Sequence, residues 1–334
     1  MTITGLFKAE NVADDVSPQI TADGQLRHLL TLKGLSREQI TDILDQSEHY
    51  LSPMGSRVVR SESLRGRTVA NLFFEPSTRT RASFDLAAKR LGADVLNLDV
   101  NTSSRKKGES ILDTLYTLQA MQVDIFVVRD ASEGVPAYIA RHVDDHISVL
   151  NAGESTLSHP TQGLLDLLTI RQAKGDFEEL TVAIVGDIAH SRVARSAAEG
   201  LMTMGVGELR LVSPEALAPD PDTVPKCRIL HNLADGIRNA DVVMALRIQR
   251  ERIGSLDDIP GIDEYFARFG ISHERMKLAA PDAIVMHPGP MNRGIEIESS
   301  LADGAQSRIS RQVTNGLAVR MAVLDIVTRT QGSR

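Results

Sequence analysis

The chain has 334 residues, and its 37 Lys and Arg against 44 Asp and Glu leave a formal net charge of −7. This length allows about two domains, each large enough to bury a core without disulfides or a structural metal. An acidic chain with no Trp and only 4% aromatic residues lacks the cationic and stacking surface that nucleic acids require. The composition therefore argues against a nucleic-acid partner and is typical of a globular protein.

Cysteine usage and the distribution of apolar residues indicate the compartment. The single cysteine, Cys227, can form no internal disulfide and has no neighbouring Cys or His, so we interpret it as a space-filling residue. No run of 18 or more apolar residues occurs, and Lys8, Glu10, Asp14 and Asp15 interrupt the N-terminal segment. The sequence therefore predicts a cytoplasmic protein with no membrane contact.

Short β-branched runs alternate with longer helical patterns along the chain. Runs such as 182–185 are almost continuously apolar, which is typical of strands buried on both faces of a parallel sheet. We therefore predict an α/β fold of two doubly wound parallel-sheet domains joined by interdomain helices. The predicted strands cover 68–74, 94–98, 124–128 and 148–150 in the first half, and 181–185, 208–212, 241–245 and 283–286 in the second.

Helix signals set the predicted domain limits. One helix is predicted to begin at a cap formed by Ser77 or Thr78, and another at Ser191. The stretch 162–174 is predicted to be a helix that links the two sheets. The predicted domains are 1–155, which includes a polar and loosely held arm at 1–24, and 156–310, followed by a C-terminal helix in 311–334 that packs back on the first domain.

The strongest functional signal is the segment Phe73-Phe74-Glu75-Pro76-Ser77-Thr78-Arg79-Thr80-Arg81, where a predicted buried strand ends and a helix begins. Ligands of open α/β sheets bind at this position. The free N–H groups of a first helical turn can converge there on an anion, together with hydroxyls and guanidinium groups. Because two arginines oppose the dipole at a helix N-terminus, a site for an anion such as phosphate explains them better than capping alone.

Polar residues also follow other predicted strands of the first half. Arg129 comes after the apolar run 125–128 and fits either a surface cap on the strand or a site residue. His159 and Gln162 open the linking helix one turn apart, so they could direct a donor and an amide to the same place. A lone histidine is more often a capping or core residue, and both interpretations stay open at this point.

The second half raises the question of a dinucleotide site. The segment 186–191 after a predicted strand lacks the second and third glycines of Gly-x-Gly-x-x-Gly, which disfavours NAD. Arg192 is better placed as a carboxylate ligand, whereas Arg247 and Gln249 fit either a second carboxylate site or an exposed basic loop. The segment His287-Pro288-Gly289-Pro290 predicts a stiff turn whose carbonyls can accept hydrogen bonds.

Metal and hydrolase chemistry find little support in the sequence. His142 and His146 have i,i+4 spacing on a predicted helix, but no third ligand or general-base Glu accompanies them, so we interpret them as an ordinary surface pair. No Gly-x-Ser-x-Gly motif occurs, which disfavours a serine hydrolase. We expect no metal and no cofactor.

Taken as a set, these motifs resemble those of a known family. From about residue 30 to 328 the chain resembles the catalytic chain of the aspartate carbamoyltransferases. The resemblance rests on Ser77-Thr78-Arg79-Thr80-Arg81, Lys106-Lys107-Gly108-Glu109, His159-Pro160-Thr161-Gln162, Arg247-x-Gln249 and His287-Pro288-Gly289-Pro290-x-Asn292-Arg293-Gly294.

The sister family of ornithine carbamoyltransferases shares the phosphate motif and the His-Pro-x-Gln segment. The loop 103–108 and the pair Arg247 and Gln249 resemble the aspartate enzymes instead, and Pro288 and Gly289 replace the Cys-Leu of the ornithine enzymes' His-Cys-Leu-Pro motif. The two carboxylates of aspartate also need cationic partners that would repel the side chain of ornithine.

The resemblance implies a role for each matching residue. The phosphate would be held by Ser77, Thr78, Arg79 and Thr80, and the carbonyl oxygen by Thr80, Arg129 and His159. The carbamoyl nitrogen would be held by Gln162 and by the carbonyls of Gly289 and Pro290. The aspartate would be held by Lys107, Arg192, Arg247 and Gln249, and an adjacent subunit would supply Ser103 and Lys107. His159 is interpreted as a polarising donor and not as the base, because the leaving phosphate is itself a proton acceptor.

The resemblance also implies the larger organisation. Domain 1–155 would bind carbamoyl phosphate and domain 156–310 aspartate, in a homotrimer with shared active sites that serves pyrimidine synthesis. A larger assembly with regulatory or dihydroorotase-like chains stays open. Two alternatives remain: a carbamoyltransferase for another amine, and a non-catalytic assembly subunit, although no residue carried over from the family is missing here.

Overall fold

The computed structural model describes residues 18–52, 57–98, 110–224, 226–249 and 261–331. Two sheets in which every strand pair is parallel lie at its centre, each covered by helices, which confirms the predicted α/β fold. The first sheet has the order β2-β1-β3-β4 and the second β7-β6-β5-β8-β9. The strands are β1 (Thr68–Phe73), β2 (Asp94–Leu98), β3 (Ile125–Asp130), β4 (Ser148–Glu154), β5 (Thr181–Val185), β6 (Glu208–Val212), β7 (Arg228–Leu230), β8 (Val242–Ala245) and β9 (Ile284–Met286).

Helices connect successive strands, as parallel pairing requires. The helices are α1 (Arg37–His49), α2 (Thr78–Arg90), α3 (Ile111–Ala120), α4 (Val135–Ala140), α5 (Pro160–Lys174), α6 (Arg192–Thr203), α7 (Leu233–Ile237), α8 (Ile262–Phe269), α9 (His273–Met276), α10 (Ser299–Ala302) and α11 (Ile309–Thr330). Two short 3-10 helices lie at Glu215–Leu217 and Pro221–Thr223.

Central strands and helix caps follow local sequence. All six residues of β3 are buried, as are residues 182–185 of β5, because helices cover both faces of each sheet. Ser191 caps α6 as predicted, accepting a hydrogen bond from the Ala194 N–H at 3.1 Å.

Two helices join the halves of the chain. Residues 160–170 of α5 are all buried, and α11 packs against α1, α2 and α5. Ile125 of the first sheet and Ile184 of the second belong to one apolar core together with Leu168 of α5 and Val323 of α11. This shared core holds the carboxyl ends of the two sheets beside each other.

The N-terminal stretch differs in part from the expected loose arm. Positions 1–17 lie outside the described residues, but Gln19 is buried and its Oε1 accepts hydrogen bonds from the N–H groups of Leu30 at 2.6 Å and Thr31 at 2.8 Å. A buried amide that satisfies two backbone donors anchors the chain there. The end of the arm is therefore part of the packed structure.

The expected helix under the histidine pair is wrong. His142 and His146 lie in turns after α4 ends, and the ring Nδ1 of His142 is 2.8 Å from the Tyr138 carbonyl oxygen. Within the described ranges, no three His, Cys, Asp or Glu side chains are grouped so that they could hold a metal ion. None of the helices described is long and apolar enough to cross a membrane.

Candidate active site

Each sheet changes its winding direction beside a central strand. In the first sheet β1 lies between β2 and β3, and in the second β5 lies between β6 and β8. Ligands of open α/β sheets bind outside the carboxyl ends of the strands at such a switch point. The predicted residues Ser77, Arg129, Arg192 and Arg247 lie at or just beyond the carboxyl ends of these four inner strands, β1, β3, β5 and β8.

The first turn of α2 has the features of an anion site. Ser77 is the N-cap residue but makes no capping hydrogen bond, and the turn contains no acidic residue. Its backbone N–H groups and the positive end of the helix dipole are therefore available to a ligand. Thr80 is buried, whereas Thr78 and Arg79 are exposed.

Two arginines from different halves of the chain meet at one carboxylate. Glu75, between β1 and α2, accepts hydrogen bonds from Arg129 Nη2 at 3.1 Å and from Arg192 Nη1 and Nη2 at 3.1 and 3.2 Å. Arg129 Nη1 also donates to the Ala152 carbonyl, and Arg192 Nη1 to the Ser155 carbonyl. Both arginine side chains are less than a tenth exposed. These bonds orient two guanidinium groups side by side at a place that little solvent reaches.

Gly153, near the end of β4, gives the two arginines room. Its φ is +128°, a region that other residues rarely adopt. A Cβ at this position would lie 2.8 Å from Arg129 Nη1 and 3.2 Å from Arg192 Cζ. Any larger residue would therefore be strained and would displace the guanidinium groups.

His159 lies beside this cluster as the N-cap residue of α5. It is buried, and its backbone N–H donates to Ser196 Oγ at 2.9 Å. Burial, and then the positive charges of Arg129, Arg192 and Arg320, hold the pKa of His159 well below its usual value of 6.5. The imidazole is therefore neutral near pH 7 and can donate one hydrogen bond to a ligand.

Gln162 and Asp166 lie one turn apart on α5 in a buried polar network. Gln162 Nε2 donates to Asp166 Oδ1 at 3.0 Å, and Gln312 Nε2 of α11 donates to the same oxygen at 2.7 Å. Gln312 Oε1 in turn accepts a hydrogen bond from the His287 N–H at 2.9 Å. Burial raises the pKa of Asp166 to about 7, although both amides and the charge of Arg320 act in the opposite direction. The network links α5 to the end of β9 through α11.

The turn after β9 contains the predicted residues Gly289 and Pro290. The Gly289 N–H donates to His287 Nδ1 at 2.9 Å, and His287 Nε2 lies 3.1 Å from Glu296 Oε1. The peptide bond between Gly289 and Pro290 is cis. A Cβ on Gly289 would lie 3.9 Å from Arg79 Nη1, so this turn of the second half lies next to the first turn of α2.

Arg247 and Gln249 follow β8, which is a strand of the second sheet. The Gln249 N–H donates to Asp187 Oδ2 at 3.0 Å, and Gln249 Nε2 donates to the His190 carbonyl at 3.0 Å. Asp187 and His190 belong to the loop that leads to Arg192 at the start of α6. Arg247 is partly exposed. The structure therefore joins Gln249 to the Arg192 loop, whereas the predicted residues Ser103 and Lys107 lie outside the described residues.

Two family models match nearly the whole chain. "Aspartate/ornithine carbamoyltransferase, carbamoyl-P binding domain" matches residues 27–172, and "Aspartate/ornithine carbamoyltransferase, Asp/Orn binding domain" matches residues 178–327. The chain belongs to the aspartate/ornithine carbamoyltransferase family. It is therefore an enzyme of the transferase class, a carbamoyltransferase.

Solved structures of both branches of this family are similar to the chain. Aspartate transcarbamoylase from Trypanosoma cruzi, in complex with carbamoyl aspartate and phosphate, is 30% identical with a TM-score of 0.79, over 93% of this chain and 97% of that one. Ornithine carbamoyltransferase from Pyrococcus furiosus is 28% identical with a TM-score of 0.81, over 92% and 98%. The ornithine enzyme from Thermus thermophilus is 26% identical with a TM-score of 0.79, over 90% and 99%. Because both branches match equally well, the comparison assigns carbamoyl transfer, and the second substrate has to be argued from the residues.

Three residues of this candidate site are not predicted from the sequence. Glu75 lies inside the strongest motif, but its two arginine partners are 54 and 117 positions away, and nothing local indicates them. Asp166 and Arg320 carry a signal that could have found them, since each is a charged residue within the apolar stretch of a buried helix. Charged residues in such places are kept only where they have partners.

Proposed function

We propose that the chain is an aspartate carbamoyltransferase, which transfers the carbamoyl group of carbamoyl phosphate to the amino group of L-aspartate. The observation that carries the proposal is the position of Arg192. This arginine of the second half lies with Arg129 on the Glu75 carboxylate, beside the anion site of the first half. A cationic group on that side suits a dicarboxylic acid and repels an amine-bearing side chain.

The first half would bind carbamoyl phosphate. Ser77, Thr78, Arg79 and Thr80 would hold the phosphate at the uncapped first turn of α2, where backbone N–H groups and the helix dipole favour an anion. Thr80, Arg129 and His159 would donate to the carbonyl oxygen of the same ligand. Since the imidazole of His159 is neutral, it would polarise this carbonyl as a hydrogen-bond donor and leave the proton transfer to another group.

The carbamoyl nitrogen needs acceptors, and the cleft offers oxygens for it. Gln162 would contribute its side-chain oxygen, and Gly289 and Pro290 their carbonyls from the turn beside α2. These groups would orient the planar carbamoyl group so that one face is open to the attacking amine.

Aspartate would bind between the two halves. Arg192, Arg247 and Gln249 would hold its carboxylates, with Lys107 and Ser103 supplied by an adjacent subunit of a homotrimer. The crystal structures of the Trypanosoma cruzi enzyme support aspartate as the second substrate by analogy, because they include a complex with carbamoyl phosphate and aspartate at 29% identity to this chain. A role in pyrimidine synthesis follows from the same assignment.

The proposed reaction forms one bond and breaks one. The amine nitrogen of aspartate attacks the carbamoyl carbon, the bond from that carbon to the phosphate oxygen breaks, and the proton lost by the amine passes to the leaving phosphate. Negative charge that grows on the carbonyl oxygen is stabilised by Arg129, Thr80 and His159; one such donor typically contributes about 2.7–4 kcal/mol. Orientation of two bound reactants can supply about 7–11 kcal/mol more.

The test is an assay of ureido product from carbamoyl phosphate with L-aspartate and L-ornithine side by side. We expect kcat/KM for aspartate to exceed that for ornithine by at least about a hundredfold, since a misplaced like charge costs several kcal/mol in a cleft of this kind. A preference for ornithine or another amine would overturn the aspartate assignment. Size-exclusion chromatography with light scattering would give the mass of the assembly in solution and so test the homotrimer.

A further inference from the structure

The roles proposed above leave the carboxylate of Asp166 unused, although it is one helical turn from Gln162. Asp166 is 1% exposed, and its Oδ1 accepts from Gln162 Nε2 at 3.0 Å and from Gln312 Nε2 at 2.7 Å. Its Oδ2 is buried and has no hydrogen-bond partner in the described chain. A buried carboxylate that is only partly satisfied lowers stability, so a function for it is expected.

The chemistry of a carboxylate decides the direction of the Gln162 amide. An ionised carboxylate can only accept hydrogen bonds, whereas an amide both donates and accepts. Above about pH 7, where Asp166 is ionised, Gln162 must therefore turn its NH₂ group towards Asp166. Its Oε1 then points to the opposite side, where no donor of the described chain meets it and it is not enclosed.

We propose that Asp166 is a positioning residue that selects the carbamoyl group, because it fixes the Gln162 amide with Oε1 towards the substrate NH₂. An inverted amide would set its own NH₂ group against that of the substrate, and two facing donors leave both unsatisfied. The proposal rests on the assignment of Gln162 to the carbamoyl nitrogen in the proposed function.

The same carboxylate ties this amide to the turn that carries the other acceptors. Gln312 donates to Asp166 through Nε2 and accepts from the His287 N–H through Oε1 at 2.9 Å. His287 in turn receives the Gly289 N–H at its Nδ1. One continuous hydrogen-bond network therefore fixes the position of the Gln162 oxygen relative to the Gly289 carbonyl. An NH₂ group, which has two N–H bonds, could donate one to each of these two oxygens.

The test compares carbamoyl phosphate with acetyl phosphate, in which a methyl group replaces the NH₂ group. Titration calorimetry at about pH 8.5 keeps the carboxylate ionised, because burial raises the pKa of Asp166 only to about 7. Asp166→Asn has the same size but offers an N–H as well as an oxygen, so both directions of the Gln162 amide become allowed. The preference is the Kd of acetyl phosphate divided by the Kd of carbamoyl phosphate. We expect this ratio to fall by at least about tenfold in the variant, because only carbamoyl phosphate binds more weakly.

Asp325→Asn is the matched control. Asp325 of α11 is also buried and also accepts a hydrogen bond from a glutamine, Gln46 Nε2, at 2.8 Å, but it faces α1. The Asp325→Asn variant should therefore prefer carbamoyl phosphate over acetyl phosphate to the same extent as the wild type. An unchanged preference in Asp166→Asn, or an equal loss of affinity for both ligands, overturns the proposal.

A second measurement covers the case in which Asp166→Asn does not fold. Neutron diffraction of the wild-type complex with carbamoyl phosphate would locate the hydrogens of the Gln162 amide. Hydrogens on the Asp166 side support the proposal, and hydrogens facing the ligand overturn it. Neither measurement uses aspartate, so absence of aspartate turnover would overturn the proposed function without affecting this result.

Discussion

Arg79 and Arg247 should affect different substrates, because they follow strands of different sheets. Arg79→Ala removes a charged donor at the α2 turn, and we expect the Kd of carbamoyl phosphate to rise by at least about a hundredfold. Arg247→Ala should leave that Kd unchanged and raise the KM of aspartate by about tenfold. Calorimetry and steady-state kinetics on both variants check this. Undiminished phosphate-ligand binding by the Arg79 variant would contradict the assignment.

Glu75 is expected to set the positions of the two arginines that it joins. Glu75→Gln removes the negative charge between Arg129 and Arg192, so the two guanidinium groups lose their common partner and repel each other. We expect kcat/KM for aspartate to fall by at least about tenfold, whereas inorganic phosphate should bind at least as tightly, because a competing anion is gone. Kinetics and phosphate titration are the measurements. Weaker phosphate binding together with normal turnover would be the opposite of this expectation.

At the level of elements, the close contact of α5 with α6 controls where Arg192 lies. A Cβ on Gly163 of α5 would lie 2.9 Å from the Ser196 carbonyl oxygen of α6 and 2.7 Å from Leu32 Cδ1. In an exposed helix Gly→Ala stabilises by about 1 kcal/mol, but a backbone oxygen cannot give way unless α6 moves. We therefore expect Gly163→Ala to lower the free energy of unfolding by about 1–3 kcal/mol and to raise the KM of aspartate.

Gly200→Ala provides the comparison within the same helix pair. Its Cβ would meet only side-chain carbons, Leu167 Cδ1 at 2.8 Å and Leu32 Cδ1 at 3.1 Å, and these can rotate away. Urea unfolding should show a smaller loss for Gly200→Ala than for Gly163→Ala. If Gly163→Ala has the same free energy of unfolding as the wild type, α6 can move at little energetic cost, and the expectation is wrong.

The elements also show what local sequence can reveal. Apolar runs located the inner strands, but the predictions stopped at the last apolar residue, whereas β3 continues through Arg129 to Asp130 and β4 to Glu154. Backbone pairing does not depend on whether a side chain is polar, so polar strand ends look like loops in a sequence. The edge strand β7 (Arg228–Leu230) was missed for a related reason, because it is three residues long and begins with an exposed arginine.

The residues of the candidate site could be predicted one by one, but their arrangement in space could not. Motifs indicated Arg129, His159 and Arg192 separately, whereas the carboxylate that joins two of them and the network around Asp166 depend on partners far away in sequence. Such pairs are created by the packing of α5, α6 and α11. Local pattern has no information about them.

For the whole molecule, acid stability should depend on His28. This buried residue accepts the Val149 N–H at its Nδ1, at 2.9 Å, and burial, with Arg27 nearby, lowers its pKa from 6.5 to about 3. The folded chain therefore binds fewer protons than the unfolded chain below about pH 6.5, so stability falls as the pH decreases from there towards 3. Between pH 6.5 and 4.5 this one group accounts for up to about 2.7 kcal/mol.

His28→Asn retains an oxygen acceptor for Val149 and cannot titrate. We expect its free energy of unfolding in urea to change less between about pH 7 and pH 4.5 than that of the wild type, by about 2–3 kcal/mol. The control is the same substitution at an exposed histidine, His49→Asn, measured over the same pH range. Parallel pH dependence of His28→Asn and the wild type would exclude His28 as the sensitive group.

The last helix of the chain, α11, has a consequence for how the protein is made. It packs on α1 and α2, so the core of the first half contains side chains that the ribosome adds only after the whole second half. At about 5–20 residues per second, the stretch between α5 and α11 takes on the order of ten seconds to synthesise. Throughout that time the nascent first half exposes the apolar surface that α11 later covers, and this surface has to be protected from aggregation until α11 has been synthesised.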